Sequence, residues 1–431
     1  MRLLLPLLLS TALHAETIDL PTTLRLAGAN AIDVKLAEEK LAEARADVQQ
    51  RTLAFLPVLN VGVGYTNVQG AIQDIVGTVL VVDKQQYTAG VGMSVDLSLG
   101  DALYQRLAAK QKSLAAEKNV ESERLARQVD AASAYFDLVY AAAIVGVTQE
   151  AVSISSDYGK QVANAVQAGV AFKGDALRVD VQTKRNELDL ERAKGALKQA
   201  SVALAEKLRL DPTVTLTPAD GEPRTIQLVD ASANVKPLIE KALANRPELA
   251  RELAAISARR AERDAIVKGS WVPTLTAQVF AGGLDGGIGS DMRGLDDTQS
   301  YFVGLKWKIG AGGLFDKGRR LAAESRIRQA ELNEAKAKES ITAQVVAAAE
   351  ECRVLAKQVT AGRAAVKAAE ENNKLTHERQ EFAVGIVLET VLAEQELTRA
   401  RLDYLQTVTR HNAAQYLLKQ ALGTTSAASG K

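Results

Sequence analysis

From Asp101 to Gln167 the sequence contains no proline and only two glycines, Gly146 and Gly159. Read as one helix of about 68 residues, this run would extend roughly 100 Å at about 1.5 Å per residue. No compact domain encloses such an element, and the breakers that a globular reading needs are absent. A second run of the same kind covers residues 314 to 383. A further helix at 173 to 209 places Leu190, Ala193, Leu197, Ala200, Leu204 and Leu208 at spacings of three and four, a coiled-coil-like seam. Aromatic residues make up only 4% of the chain, which suits long helices packed closely through small side chains.

The two runs belong to a repeat. "AGANAIDVKLAEEKLAEARADV" from Ala27 aligns with "ALANRPELARELAAISARRAER" from Ala242, placing Asn30 against Asn245. "FLPVLNVGVGY" aligns with "WVPTLTAQVFA", placing Pro57 against Pro273, and "QAGVAFKGDALRVDVQ" aligns with "FAVGIVLETVLAEQEL", placing Gly169 against Gly385. A shift that stays near about 215 residues through separate signatures identifies a tandem duplication. Each half reads helix, strand, loop, strand, very long helix, tight turn, helix. The first repeat is expected at 16–210, with helices at 23–54 and 100–167 and strands at 58–66 and 87–99. A Pro-, Thr- and Asp-rich linker follows at 211–236. The second repeat is expected at 237–422, with helices at 238–268 and 314–383 and strands at 274–281 and 301–309, before a flexible tail at 423–431. The turns at Gly169 and Gly385 should fold the helices back as antiparallel hairpins.

The strands are two-faced. Tyr87, Ala89, Val91, Met93, Val95, Leu97 and Leu99 alternate with Thr88, Gly90, Gly92, Ser94, Asp96 and Ser98; Leu59, Val61, Val63 and Tyr65 alternate with Asn60, Gly62, Gly64 and Thr66. In the second repeat Leu275, Ala277 and Val279 oppose Thr274, Thr276 and Gln278, and Tyr301, Val303, Leu305, Trp307 and Ile309 oppose Phe302, Gly304, Lys306 and Lys308. Hairpins half-buried on a soluble core give this pattern, and so do barrel strands between lipid and water. Their length, the expected export of the chain and the lack of a helix face suited to cover them favour the barrel. Four strands cannot close one, since about eight is the minimum, so several chains must contribute. A polar face containing Gly62, Gly64, Gly90 and Gly92 leaves room inside, which favours twelve strands over eight.

The N-terminal "MRLLLPLLLSTALHA" has a basic start, an apolar stretch and small residues up to Ala15, so residues 1–15 are expected to be a secretory signal. Beyond it no run of about 18 apolar residues stands out as a transmembrane helix. The single cysteine, Cys352, precludes an internal disulfide and reads as a buried thiol. A net charge of +1 gives no drive toward nucleic acid. His14, His377 and His411 are isolated, and no metal-ligand cluster, phosphate loop or catalytic triad can be assembled. The chain therefore reads as a non-enzyme without cofactors.

The duplication, Asn-Arg-Pro-Glu-Leu at 245–249, the helix-to-strand prolines and the turns ahead of "GDAL" and "ETVL" together resemble the outer-membrane efflux protein family, the TolC-like channels. The resemblance implies a mainly α protein with a membrane β-barrel: a trimer whose twelve-stranded barrel lies in outer-membrane lipid, continued by a long α-helical coiled-coil tunnel through the periplasm. It implies partnership with a periplasmic adaptor (membrane fusion) protein and an inner-membrane transporter of the RND, ABC or MFS type, exporting drugs, toxic small molecules or, in some members, proteins. An adaptor or structural coiled coil outside the membrane is the alternative. Pro57, Pro273, Gly100 and Gly310 are expected at helix–strand junctions. Gly169, Val170, Val384, Gly385, Ile386 and Val387 are expected at the periplasmic tip, where an adaptor would dock. Family members narrow the entrance with carboxylates at positions that fall on Thr390 and Ala393 here; Glu389 and Glu394, with Asp175 and Asp180, are the substitutes offered by this sequence. Lys306 and Lys308 are expected to face the barrel lumen, or its periplasmic edge.

Overall fold

The computed structural model describes residues 16–231, 234–288, 294–381 and 386–424. The expected signal, residues 425–431 of the tail, and Val384 and Gly385 lie outside the described residues. The elements in chain order are β1 (Glu16–Ile18), α1 (Leu20–Asn30), α2 (Ile32–Leu53), β2 (Val58–Gln73), β3 (Val79–Ser98), α3 (Leu99–Gln167), α4 (Lys173–Leu208), β4 (Leu216–Pro218), α5 (Val235–Asn245) and α6 (Pro247–Val267), then a short 3-10 turn (Gly269–Trp271), β5 (Thr274–Ile288), β6 (Asp296–Lys306), α7 (Lys317–Glu381) and α8 (Val387–Ala421). They form two compact units, each drawing on both repeats: residues 1–38, 118–249 and 336–431 make one, residues 39–117 and 250–335 the other.

The first unit is helical. Tyr135, Leu138, Leu204 and Leu208 are fully buried with Leu24 and Ala131, and Leu197 and Ala200 of the α4 seam pack against them. A second cluster joins Val345, Ala349 and Cys352 of α7 to Leu418 and Leu422 at the end of α8. Burial pushes the Cys352 thiol up to about 11, consistent with an inert core position. An 18-residue stretch of α3 is apolar enough to cross a membrane, contrary to expectation, yet half of it is buried in the fold, as in a core helix.

The linker is more ordered than its composition suggests. Its β4 pairs in parallel with β1, Ile18 opposite Pro218. The Leu216 N–H donates to Ser201 Oγ (2.8 Å), and Tyr135 OH donates to Asp220 Oδ2 (2.7 Å). Further on, the buried Asn412 accepts from Ile226 N–H (2.8 Å) and donates to Arg224 C=O (2.7 Å), while Gln415 Oε1 accepts from Leu228 and Val229 N–H (both 3.0 Å). These bonds satisfy backbone groups that the burial of an irregular segment would otherwise orphan.

Two expected helices are each two. The 238–268 helix breaks at Arg246, whose ψ of 123° is extended, as the residue before a proline prefers. Its buried guanidinium donates to Gln344 Oε1 (2.6 Å) and Gln420 C=O (3.2 Å) and lies 3.1 Å from Glu248. The 23–54 helix breaks at Ala31, also extended (ψ 133°), with no proline to mark it. Asn30 and Asn245 precede the two breaks, so the repeat conserves a bend that the local residues of the first half do not announce.

In the second unit, one antiparallel sheet has the strand order β2-β3-β5-β6. The first hairpin is longer than the alternation predicted: β2 runs on to Gln73 and β3 starts at Val79, joined by a turn in which Asp74 Oδ1 accepts from Val76 and Thr78 N–H (3.0 and 2.7 Å). β6 is shorter at its end. It stops at Lys306, leaving Trp307 and Ile309 outside the strand.

Candidate functional site

The sheet presents one surface built for an apolar solvent. Its register aligns Leu59, Met93, Val279 and Tyr301 on one rung, and Leu97, Leu275 and Leu305 on another, so the apolar residues of all four strands share a face. Most of that face is exposed, with Val63 keeping 86% of its surface, Val61 76% and Val303 75%, while Leu97 at its α3 end is buried. A protein in water does not leave so wide an apolar surface bare. The edges β2 and β6 are hydrogen-bonded on one side only. Open edges with an apolar flank call for further strands.

The apolar face also runs diagonally. It reaches Tyr65 and Tyr87 on β2 and β3 but stops on β6 at Tyr301, opposite Met93 by way of Val279; at the other end it starts at Leu59 on β2, also opposite Met93, but at Leu305 on β6, opposite Leu97 by way of Leu275. The offset averages about five residues over three steps between strands, roughly 17 Å along them for about 14 Å across, an angle of about 50°. A flat lipid slab crossing the tilted strands of a closed barrel, at about 35–45°, traces such a diagonal. From Tyr87 to Leu97 the strand rises about 34 Å. Tilted at about 45°, that makes a band about 24 Å tall, the height of the apolar band of outer-membrane barrels. Aromatic rings mark both limits: Tyr65 and Tyr87 pair at 5.0 Å, and Trp307 donates to Trp271 C=O (3.3 Å) with Phe315 edge-on to Trp271. Past the tyrosines the same face turns polar, with Asn67, Gln69, Asp83 and Gln85, which ended the alternation at residue 66.

The opposite face carries Asn60, Ser94, Thr276 and Gln278, with Asn60 donating to Ser94 Oγ (2.9 Å). Its glycines are not simply vacant space. Gly62, Gly90 and Gly282 share a rung, and the Phe280 ring lies so close that a Cβ at Gly90 would fall 2.6 Å from it. Phe302 covers Gly304 in the same way. At Gly90 glycine admits a ring onto the polar face, whereas a Cβ at Gly62 would meet nothing within 4 Å, so the expectation of cleared space holds at one position of this rung and not at the other.

The junction residues have distinct roles. Pro57 and Pro273 each stand immediately before a strand, β2 and β5. Gly100 lies within the first turn of α3, and a Cβ there would come 2.5 Å from Gly269 C=O: the helix start and the turn before β5 touch backbone to backbone. Gly310 is not a direct strand-to-helix joint, because β6 has already ended. It sits in a compact loop where Gly310 N–H donates to Leu314 C=O (2.9 Å) and Asp316 caps α7 by accepting from Arg319 N–H (2.9 Å). Lys306 closes β6 opposite Thr274, but Lys308 belongs to this loop, so alternation does not orient it.

The helical turns lie in the first unit. α3 ends at Gly169 in the left-handed region (φ 76°), where Val170 N–H bonds Ala165 C=O (2.9 Å). Val170 is 80% exposed, and so is its neighbour Phe172 at 82%, a residue the sequence reading passed over although an aromatic ring just before a helix start in "GVAFKGD" was its signal. Ile386, at the N-cap of α8, is exposed; Val387 instead packs against the cluster of Tyr158, Val162, Val179 and Val391, which removes it from the exposed set. Asp175 pairs with Arg178 (3.0 Å) and Glu389 lies 3.8 Å from Arg379, while Asp180 is exposed on α4. Glu394 is different: its side chain is only 12% exposed, its Oε1 is 3.3 Å from His377 Nε2, and burial pushes its carboxyl up to about 7. Thr390 and Ala393 are buried beside it, Thr390 donating to Gln380 Oε1 (2.8 Å), so carboxylates at those two positions would be desolvated in this chain. Around the same helices Gln182, Asn186, Glu394, Gln395 and Arg401 line a cleft of about 320 Å³. Arg401 bridges Glu150 of α3 (3.1 Å) and Glu370 of α7 (3.2 Å). Among the described residues no group of His, Cys, Asp and Glu is placed to hold a metal ion.

A family model described as outer membrane efflux protein matches residues 23–208 and 238–424, both repeats. No curated protein matches the chain. Among solved structures, a membrane protein from Pseudomonas aeruginosa is similar with a TM-score of 0.78 at 21% identity, covering 94% of this chain and 90% of its own. The outer membrane protein VceC of Vibrio cholerae gives 0.76 at 16% identity, covering 94% and 96%. The outer membrane channel MtrE of Neisseria gonorrhoeae, solved in its open state, gives 0.74 at 18% identity, covering 94% and 89%. At these identities the likeness is one of fold.

Proposed function

Because the chain belongs to the outer membrane efflux protein family, whose members are outer-membrane channels with a periplasm-spanning helical domain, we propose that three copies join their four-stranded sheets into one twelve-stranded barrel. The assembly is a passive duct that takes small toxic molecules or drugs, and in the widest reading proteins, from a periplasmic adaptor and an inner-membrane transporter of the RND, ABC or MFS type to the outside. One observation carries this reading: a four-stranded sheet with two open edges and a diagonal apolar face has no stable monomeric state in water or in lipid. Driving energy comes from the inner-membrane partner, and the chain itself catalyses no reaction.

The turn at Gly169, Val170 and Phe172 and the second-repeat positions Val384, Gly385, Ile386 and Val387 are the proposed docking site of the adaptor, with Val170, Phe172 and Ile386 supplying the apolar contacts. Three copies of Glu389 and Asp175 give an acidic constriction, and three copies of Lys306 a basic ring at the edge of the barrel. The reading is tested by fractionation. It expects the mature protein in outer-membrane extracts as a detergent-soluble trimer that a gel resolves from the heat-dissociated chain. A monomer recovered from the soluble periplasm would instead identify a scaffold outside the membrane.

A further inference from the structure

We propose that Glu394 is a proton-operated latch on the α7–α8 hairpin: protonated, it stays buried and holds the hairpin packed against α3, and ionised, it turns out to solvent and lets the hairpin loosen.

The geometry is that of a carboxyl group kept where a carboxylate does not belong. The side chain is almost wholly enclosed, and its Oε1 receives no hydrogen bond although His377 Nε2 is 3.3 Å away. Two nearby hydroxyls are committed elsewhere, Tyr158 of α3 and Thr390 of α8 both donating to Gln380 Oε1 of α7 (2.8 Å each), while Asn373 of α7, in the same cleft, has a buried Oδ1 that likewise lacks a partner. The His377 ring lies edge-on to Tyr158, with centroids 6.1 Å apart, so α3, α7 and α8 meet around this carboxyl. The cleft that Glu394 lines and the contacts around it bring together charged and titratable groups of four helices. α3 contributes Tyr158 and Glu150; α4 contributes Arg185, Asp189 and Asp175; α7 contributes His377, Glu370 and Arg379; and α8 contributes Glu389, Arg399 and Arg401. Arg401 is held by Glu150 and Glu370, Arg379 lies by Glu389, and among the described residues only the His377 imidazole is within ion-pair distance of Glu394.

A neutral carboxyl is tolerated in this setting, since burying it costs far less than burying a charge; a carboxylate there is desolvated without a fixed cation. The direction of the pH effect follows. In the packed hairpin the group titrates near 7, raised from its ordinary 4.5 by burial. The stabilisation of packing is therefore full below about pH 4.5 and is lost as pH rises through about 7. A difference of that size moves the balance between packed and loosened hairpins by on the order of a hundredfold across the window.

The packing itself does not depend on the channel reading, although its consequence, a tip that opens more readily at higher pH, rests on it. The experiment uses the full chain in detergent and measures hydrogen exchange of α7 and α8 amides at pH 5 and pH 8, corrected for intrinsic exchange, alongside conductance in planar bilayers. The native protein should lose protection near Glu394 at pH 8 by tenfold or more and conduct more. Glu394→Gln should stay protected and conduct equally little at both pH values, while Glu396→Gln, at an exposed position on α8, should behave as native. Retained pH dependence in Glu394→Gln, or none in the native protein, overturns the latch. If Glu394→Gln does not assemble, Glu394→Leu serves: a side chain that cannot ionise should stay protected at both pH values, and retained pH dependence overturns the proposal. A chain that conducts at no pH yet shows the exchange switch would count against the duct and not against the latch.

Discussion

Asn412 illustrates how much of this fold depends on single polar side chains. It is buried on α8 and bonds Ile226 N–H and Arg224 C=O at once, so Asn412→Ala orphans two backbone groups. A loss of about 1–3 kcal/mol is expected. It would be read as a lower temperature at which the native assembly loses its gel mobility, with Asn412→Asp, which keeps only the acceptor, falling between. Gly100 and Phe280 teach a related lesson about small and large residues. Both were visible in the sequence, one as a junction and one as an aromatic out of phase with its strand. What makes each matter is a neighbour distant in the chain, Gly269 for the first and Gly90 for the second.

Among the elements, the sheet gives the sharpest prediction. Val63 and Val303 lie on the exposed apolar face, whereas Thr276 lies on the other. An arginine at Val303, near the middle of the band, should destabilise insertion by about 2–4 kcal/mol, while Thr276→Arg, facing water, should leave the yield of membrane-inserted protein near native. Equal yields from the two variants would mean that the assigned faces are wrong. Strand alternation was readable in the sequence wherever one face met lipid. It failed beyond Tyr65 and Tyr87, where both faces are mixed, and beyond Lys306, where Trp307 and Ile309 continue the pattern without continuing the strand. The helices show the same division. Seams of Leu and Ala were legible by their spacing, and Pro247 announced its break, but Ala31 carries no local mark of the bend above α2.

For the proposed assembly, charge at the entrance constriction is the testable quantity. In the proposed trimer Glu389 and Asp175 occur three times each, and a ring of them at the entrance would raise the local concentration of cations. Glu389→Gln together with Asp175→Asn should reduce the preference for cations over anions, measured as a reversal potential in a salt gradient. An unchanged potential would remove these residues from the constriction. Arg178 and Arg379 lie beside them and lessen the effect, so a partial loss is the expected size.

The duplication, the length of the helices and the need for strands from other copies were all written in the sequence, because each rests on periodicity: a repeat, a heptad-like seam or a two-residue alternation survives projection onto one dimension. The slant of the apolar band, the ring laid over Gly90, the contact of Gly100 with Gly269 and the enclosure of Glu394 beside His377 were not. Each is a relation between residues far apart in the chain, brought together only when strands take their register and helices cross. Glu389 and Glu394 look alike in "ETVLAEQ". One lies partly in solvent near an arginine and the other is sealed among three helices, because five residues along α8 turn the side chain to a different face of the hairpin.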